Sequence, residues 1–459
     1  MTVILGDHAM ARNTFWLAGG AAVALSALGA GQASAGGFAV REQSTIGQGM
    51  SFAGSAAYSS IGAMFWNSAA AANKDGLNAE SGVAIILPDA TLTGSATRSG
   101  AGAGPIAGDT SVAIGVDAIV PSTYISYQFK NFDPNLFLGL AVNAPFGLKT
   151  EPENRWVGSE VAGASSLFTL NVNPMLAYRF SEQLAVGAGA QIQFSKGILK
   201  FATGSPTGAN TYFEGEDLTA GWTAGIMYTP TKSTRIGLGW RSQLTTTLEG
   251  VTATGAPVGG GEFAGGVASE VEIKLPDIVT LSIAQALTPN LRAMATVEWS
   301  NWSRIESLDL FTTSSGNTAL RAGAGNPTGA VPSGALLGSI STKWEDGYFF
   351  ALGLEYDVSK QLTVRAGGAY EISPVTKAVE RVASIPDADR IWASLGFSYN
   401  VNQTTTIDFG YSHLFVEEAQ IDRRNIPETV RLLADLDASL DIVSLGVRMK
   451  LDHGHEALK

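Results

Sequence analysis

In 165-SSLFTLNVNPMLAYRF-180 the even positions hold Phe168, Leu170, Val172, Leu176, Tyr178 and Phe180, while Thr169, Asn171, Asn173 and Arg179 fill odd ones. Successive side chains of a strand point to opposite faces, so a period of two describes a strand with one apolar and one polar side. The pattern returns in 291-LRAMATVEWSNW-302, where Leu291, Ala293, Ala295, Val297 and Trp299 oppose Arg292, Thr296, Glu298 and Ser300. It returns again in 406-TIDFGYS-412. A soluble sandwich alternates in the same way, so strand length and connections must decide.

Turn signals at 132-FDPN-135, 181-SEQ-183, 230-PTKS-233, 288-TPN-290, 357-DVSK-360 and 400-NVNQ-403 are short, and each is flanked by long apolar or alternating stretches. About ten residues suffice to cross a bilayer as a tilted strand. Between these turns lie longer polar stretches around 98–112, 148–164, 203–217, 249–269, 311–338, 376–388 and 418–436. Short turns at one end and long loops at the other are the pattern of an outer-membrane barrel. Strands are expected near 81–95, 117–130, 135–147, 166–180, 184–200, 218–229, 234–248, 270–287, 291–309, 339–356, 362–375, 389–400, 404–417 and 438–451, fourteen in all. Tyr124, Tyr178, Trp240, Trp299, Trp302, Tyr356, Trp392 and Tyr411 are candidates for the interfacial girdles. In lipid every backbone polar group must be paired internally, so the strands have to close, and closure encloses a lumen.

Residues 15–30, FWLAGGAAVALSALGA, precede the small-residue pattern 33-ASA-35, which reads as a signal peptide over 1–35 cleaved after Ala35. The leader carries Arg12 as its positive residue, and Met10 is a second candidate start. No later apolar run reaches the length of a spanning helix. The chain has no cysteine, so disulfides do not hold it together, and its net charge of -12 argues against nucleic acid. Of four histidines only His413 falls in the expected barrel, and its neighbour Ser412 points to the opposite face. No nucleophile–base pair results, no His or Cys cluster offers metal-ligand spacing, and neither an enzyme nor a cofactor is expected.

The chain resembles the FadL-like outer-membrane transporters of long-chain fatty acids and aromatic hydrocarbons. The residues that carry the likeness begin with 36-GGF-38 followed by Glu42, Gly47, Gly54 and Asn67, similar to the family's N-terminal hatch, with Asn67-Ser68-Ala69 where Asn-Pro-Ala is usual. It continues in 145-PFGL-148, 171-NVNPMLAYRFSEQLAVGAG-189, 237-GLGWRS-242, 275-LPDIVTLSIA-284, 298-EWSNWS-303, 385-IPDADRIWASLGFSYN-400 and 407-IDFGYSHLF-415. The resemblance implies a 14-stranded antiparallel transmembrane β-barrel, residues 81–452, with an N-terminal plug, 36–80, in the lumen and a tail at 453–459. It implies capture of a hydrophobic molecule at extracellular loops, a lumenal pocket beside the N-terminus, and lateral exit at a kink in the third strand. Uptake would be passive.

Within that frame Gly139 and Pro145 are the candidate kink, because proline lacks a ladder N–H and glycine often marks a bend. Pro145 could equally just end its strand. Pro174 is a second expected ladder break. A fatty acid needs a cation for its carboxylate. Lys200 falls where the family places a basic pocket residue, with Lys343 and Arg365 as further candidates. Phe38 belongs to the tail that the family threads into its pocket, or it packs plug against wall. Asp387, Asp389 and Arg390 are expected to form an inward charge network, and Asn67, Ser68 and Ala69 to shape the hatch, where the missing proline leaves the turn's rigidity open.

Three readings compete: fatty-acid uptake, uptake of aromatic hydrocarbons by the same route, and a general diffusion porin. The long segment before the first strand favours a plugged barrel over an open porin. The expected setting is the outer membrane of a Gram-negative cell, with a monomer contacting outer-membrane lipids and lipopolysaccharide and inserted by the barrel assembly machinery. The last strand, 443-VSLGVRMKL-451, lacks the usual terminal aromatic residue.

Overall fold

The computed structural model describes residues 36–452 apart from 101, 153–154, 203–209, 255–265, 315, 318–329 and 426–427. The expected leader and the 453–459 tail lie outside the described residues. The wall strands are β1 (Leu77–Arg98), β2 (Ala118–Gln128), β3 (Leu136–Asn143, Gly147–Thr150), β4 (Ser165–Arg179), β5 (Leu184–Ala202), β6 (Asn210–Thr231) and β7 (Thr234–Arg241, Leu244–Thr254). They continue as β8 (Val267–Leu275, Ile278–Ala286), β9 (Leu291–Ser300, Ser307–Thr312), β10 (Leu336–Ser341, Gly347–Asp357), β11 (Leu362–Ile372), β12 (Arg390–Asn400), β13 (Thr405–Val416, Ala419–Arg424) and β14 (Val430–Lys450). Each pairs antiparallel with its sequence neighbours, and β1 pairs with β14 from Asn78↔Lys450 to Arg98↔Val430. The result is a closed barrel of 14 strands.

The alternation places Thr169, Asn171 and Asn173 of β4 inside, all buried, and leaves Leu281, Leu352, Leu395 and Leu445 exposed on the outer wall. Tyr228, Tyr356 and Tyr399 mark the short-turn rim, and Trp222, Trp240 and Tyr348 an upper ring. Tyr124, Trp302 and Trp392, expected in the girdles, instead point inwards at 1% exposure each. The upper ends outrun the expected strands: β6 starts at Asn210, β14 at Val430, and Ala419–Arg424 pairs with β14. Above the membrane the outer face turns polar, so two-faced alternation fades although the ladder continues.

Residues before β1 form the short helix Thr45–Gln48 and 3-10 turns at Ser55–Ala57, Ile61–Phe65 and Ser68–Ala72. Ser44, Ser60 and Asn67 cap three of these starts by accepting from Gly47, Gly62 and Ala69 N–H groups. The segment is almost wholly buried against the inner faces of the wall. Gln48 donates to Ser412 Oγ at 2.5 Å, Gly54 N–H to Thr296 Oγ1 at 2.8 Å and Ala56 N–H to Ser282 Oγ at 3.0 Å. The polar inner faces of β8 and β9 thus satisfy main-chain donors of a segment too short in helix to satisfy its own, while β13 accepts from the Gln48 side chain and donates to its carbonyl. Glycines let it approach: a Cβ at Gly225 would lie 1.9 Å from Asn67 Oδ1, and one at Gly367 2.2 Å from Met50 O. β1 begins at Leu77, so the segment ends before the expected boundary at residue 80.

Candidate functional site

Three wall strands break at similar height, and each break delivers one aromatic ring to the same place. In β3 the ladder to β4 passes from Asn143↔Asn171 to Gly147↔Phe168, so residues 144–146 oppose only two residues of β4. Such a bulge bends a strand and re-aims its side chains. It turns Phe146 inwards. β9 leaves the wall between Ser300 and Ser307, with the turn Trp302–Arg304, and β10 between Ser341 and Gly347. Trp302 and Trp344 come from these two excursions.

The three rings surround Phe38, at centroid distances of 4.8 Å for Trp302, 5.8 Å for Trp344 and 6.3 Å for Phe146. Leu148, Leu248, Val271, Ile305 and Ile385 extend this apolar cluster. Phe38 is held by its backbone as well, because Gly147 N–H donates to Phe38 O at 2.9 Å and Val40 N–H to Pro145 O at 2.8 Å. Ala39 and Phe146 form the antiparallel bridge between those bonds.

Below the rings, Arg41 donates to Glu298 at 2.7 Å and to Glu371 at 3.2 Å, with its guanidinium 3.8 Å over the Phe349 ring. Glu371 also accepts from Trp392 Nε1 at 3.1 Å. Asp387 pairs with Arg390 and accepts from Gly37 N–H at 2.8 Å and from Ser373 Oγ at 2.6 Å. Two charged clusters therefore fasten the start of the described chain to β9, β11 and β12. Glu42 is buried beside them with Oε2 unpartnered among the described residues, and burial pushes its carboxyl up to about 7.

Several clefts border the apolar cluster, two of them next to candidate residues. The first, about 570 Å³, lies among the upper strand ends and is lined by Lys200, Arg423, Arg424 and Arg431 together with Glu160, Asp422 and Glu428. Val382 belongs both to its lining and to the cluster. The second holds about 60 Å³ and reaches Leu148, Thr150, Ile114 and Gly115. It lies where the wall is discontinuous: the β2–β3 ladder stops at Thr123↔Val142, although β2 runs on to Ala118 and β3 resumes at Gly147.

The candidate residues therefore part company. Phe38, Pro145 and the first cleft with Lys200 share one region, and the Lys200 ammonium lies 5.4 Å from the Tyr212 ring centroid. Gly139 does not belong to the break, since it pairs with Ser126 and Met175 in an unbroken ladder. Its missing Cβ makes room for Met64 and Ala71 of the N-terminal segment. Pro174 keeps register with Leu140 but breaks the ladder on its other side, where β4–β5 pairing skips from Val172↔Ile192 to Met175↔Gly189 and Asn173 Nδ2 donates to Ala190 O at 2.6 Å. Arg365 is not near the cluster: it binds Glu355 at 2.6 Å and Ser398 at 2.6 Å towards the short-turn end, about 23 Å along β11 from Ile372. Lys343 is exposed, in the left-handed region at φ 45°, and it is Trp344 that turns inwards.

Asp387 and Arg390 join the inward network, but Asp389 does not, accepting instead from Tyr370 OH and Ser373 N–H at 2.9 Å each on the outer side. The chain before Arg390 is not yet a strand, so period-two reasoning fails there. Asn67 bonds Ala69 N–H, Ala56 O and Ile226 O, Ser68 Oγ donates to Thr223 at 2.8 Å, and Ala69 is fully buried. Sequence reading missed Arg41, Glu298 and Glu371, as well as Trp302 and Trp344 as ring partners of Phe38. The only signal was the segment 298-EWSNWS-303.

The model of a family described as "Outer membrane protein transport protein (OMPP1/FadL/TodX)" matches residues 26–451. The chain belongs to that family. Its members are outer-membrane transporters of hydrophobic compounds, not enzymes. The chain is 26% identical over 445 residues to the long-chain fatty acid transport protein of Salmonella typhi, covering 90% of this chain and 95% of that one. Its fold matches a Pseudomonas aeruginosa FadL homologue with a TM-score of 0.78 at 22% identity, covering 91% of this chain and 100% of that one. It also matches the Pseudomonas putida toluene transporter TodX, with a TM-score of 0.64 at 15% identity over 90% and 100% of the two chains. As in the family at large, the chain is an outer-membrane β-barrel.

Proposed function

We propose that this FadL-family barrel takes up long-chain fatty acids, with residues 36–76 as its plug. The observation that carries the reading is the position of Phe38, held inside an apolar cluster that touches a cation-bearing outer cleft on one side and an interrupted wall on the other. A carboxylate finds Lys200, Arg423 and Arg424 at the cleft, where charge-assisted bonds are strong. The acyl chain follows Val382 into the cluster and takes the place of the Phe38 ring. Exit is sideways at the β2–β3 gap, past Leu148 and Gly115, into the lipid.

The cations of the outer cleft favour a fatty acid over an aromatic hydrocarbon, which has no charge for them to neutralise. The four clustered rings favour the second reading, since flat apolar molecules pack well on such faces. A diffusion porin is disfavoured by the buried N-terminal segment. Competition against a fluorescent fatty acid on the purified barrel separates the two: oleate should displace the probe at concentrations at least tenfold below those of toluene. Equal or better displacement by toluene would transfer the assignment to aromatic hydrocarbons.

A further inference from the structure

The wall is also interrupted between β8 and β9. The lower ladder ends at Ile278↔Ser300 and the upper one spans only Ser269↔Thr312 to Val271↔Leu310. Between them residues 272–277 of β8 face residues 301–309 of β9 without a ladder pair, and Asn301 N–H reaches Asp277 O at 2.9 Å along the lower edge. The extra length of β9 is what carries Trp302 inwards, and its displacement leaves an outer cleft of about 620 Å³. The floor of that cleft is Ile305, which is also a wall of the apolar cluster around Phe38. The buried Ile305 side chain thus lies between the apolar cluster and the outside here.

This opening lies level with the β3 break, beside the upper aromatic ring. Trp240 and Trp299, at the upper end of the apolar band, donate to Asp277 and to Asp346 at 3.2 and 2.9 Å directly beneath it. Its charge is opposite to that of the Lys200 cleft. Glu270, Glu272, Glu306 and Asp309 outnumber Lys274 and Arg304, and Lys274 is already within 3.5 Å of Glu272. At the Lys200 cleft four cations face three carboxylates. Arg304 Nη1 is buried with no hydrogen-bond partner among the described residues, so a donor is available to an oxygen-bearing head group.

From these relationships we infer that the β8–β9 gap is a second lateral mouth of the same chamber, admitting uncharged single-chain amphiphiles with a hydroxyl or carbonyl head and rejecting carboxylates. The acidic rim repels an anion, Arg304 offers a bond to a neutral oxygen, and the tail passes Ile305 into the rings. The inference rests on the chamber being a transport site, as proposed above.

The chain has no cysteine, so Ser307→Cys provides a single labelling point on the rim. Entry is read as the rate of tryptophan quenching by 12-bromododecanol and by 12-bromododecanoate, which differ only in the head group. A bulky maleimide on Cys at 307 should slow the alcohol at least tenfold and leave the carboxylate within twofold. Unchanged alcohol entry, or equal slowing of both, overturns the second mouth. If the carboxylate fails to enter the unlabelled protein, the transport reading itself falls, and the second mouth with it. As an independent arm, Glu272→Lys combined with Glu306→Lys, both on exposed side chains, should raise carboxylate entry relative to alcohol, and an unchanged ratio would remove the charge selection.

Discussion

The N–H of Val40 donates to the carbonyl of Pro145 at 2.8 Å. The break in β3 is therefore closed by the N-terminal segment instead of by a neighbouring strand. Any movement that withdraws Phe38 also strips a partner from the broken wall, leaving a buried carbonyl unsatisfied at a cost of about 1–3 kcal/mol. Release of the segment and loss of main-chain partners in the wall are thereby linked.

If the acyl chain replaces the Phe38 ring, then Phe38→Ala leaves a ready-made apolar cavity, and such cavities bind apolar ligands. Laurate should bind about tenfold tighter, roughly 1.4 kcal/mol, by calorimetry on the purified protein. Weaker binding would mean that Phe38 contacts the ligand and does not yield to it.

Arg41 holds the segment by charge. Arg41→Met leaves Glu298 and Glu371 buried without it, and breaking a buried ion pair costs about 3–5 kcal/mol. The expected result is local release: an Ala39→Cys thiol should react with maleimide at least tenfold faster in the Arg41→Met background. Equal rates would show that Arg41 does not hold the segment in place.

Much of the fold was legible because alternation is a local property. In β4 the odd-numbered Thr169, Asn171 and Asn173 could be placed inside from six neighbouring residues. The breaks were less so. Pro145 advertised one, but nothing in 301-NWSRIE-306 marks a departure from the wall, because that departure is set by packing on Phe38, far away in sequence. Arg41 lies 257 and 330 residues from its two carboxylates, and no spacing rule reaches that far. Arg365 shows a related limit: parity tells which face a strand residue takes, not its height in the barrel.

Ser68 is the first residue of a 3-10 turn, and Asn67 before it is extended at φ -148° and ψ 107°, which suits a residue preceding proline. Ser68→Pro should therefore be tolerated, losing the bond to Thr223 and changing stability by no more than about 1 kcal/mol. Asn67→Ala removes a cap and two further bonds and should cost about 2 kcal/mol or more. Thermal unfolding in detergent checks both, and the order of the two variants is the informative outcome.

Glu42 gives the segment a pH dependence. Its folded carboxyl, raised to about 7, stays protonated where an unfolded one near 4.5 has ionised. The folded state thus binds more protons across that window, and stability falls as pH rises through it, by about 3 kcal/mol at most. The wild type should melt higher at pH 5 than at pH 8, and Glu42→Gln should reduce that difference. An identical pH profile in the variant would exclude Glu42 as the cause.

The direct test of the account uses the Ala39↔Phe146 bridge. The flanking bonds make this a non-hydrogen-bonded antiparallel pair, whose Cα atoms approach to about 4.5 Å, within disulfide range. Ala39→Cys with Phe146→Cys, in a chain otherwise free of cysteine, ties the segment to the broken strand when oxidised. Fatty-acid uptake by cells carrying this protein should be lost on oxidation and restored by dithiothreitol, with the reduced variant as its own baseline. Uptake at the same rate in the oxidised and reduced states would contradict the claim that the ligand passes by displacing this segment.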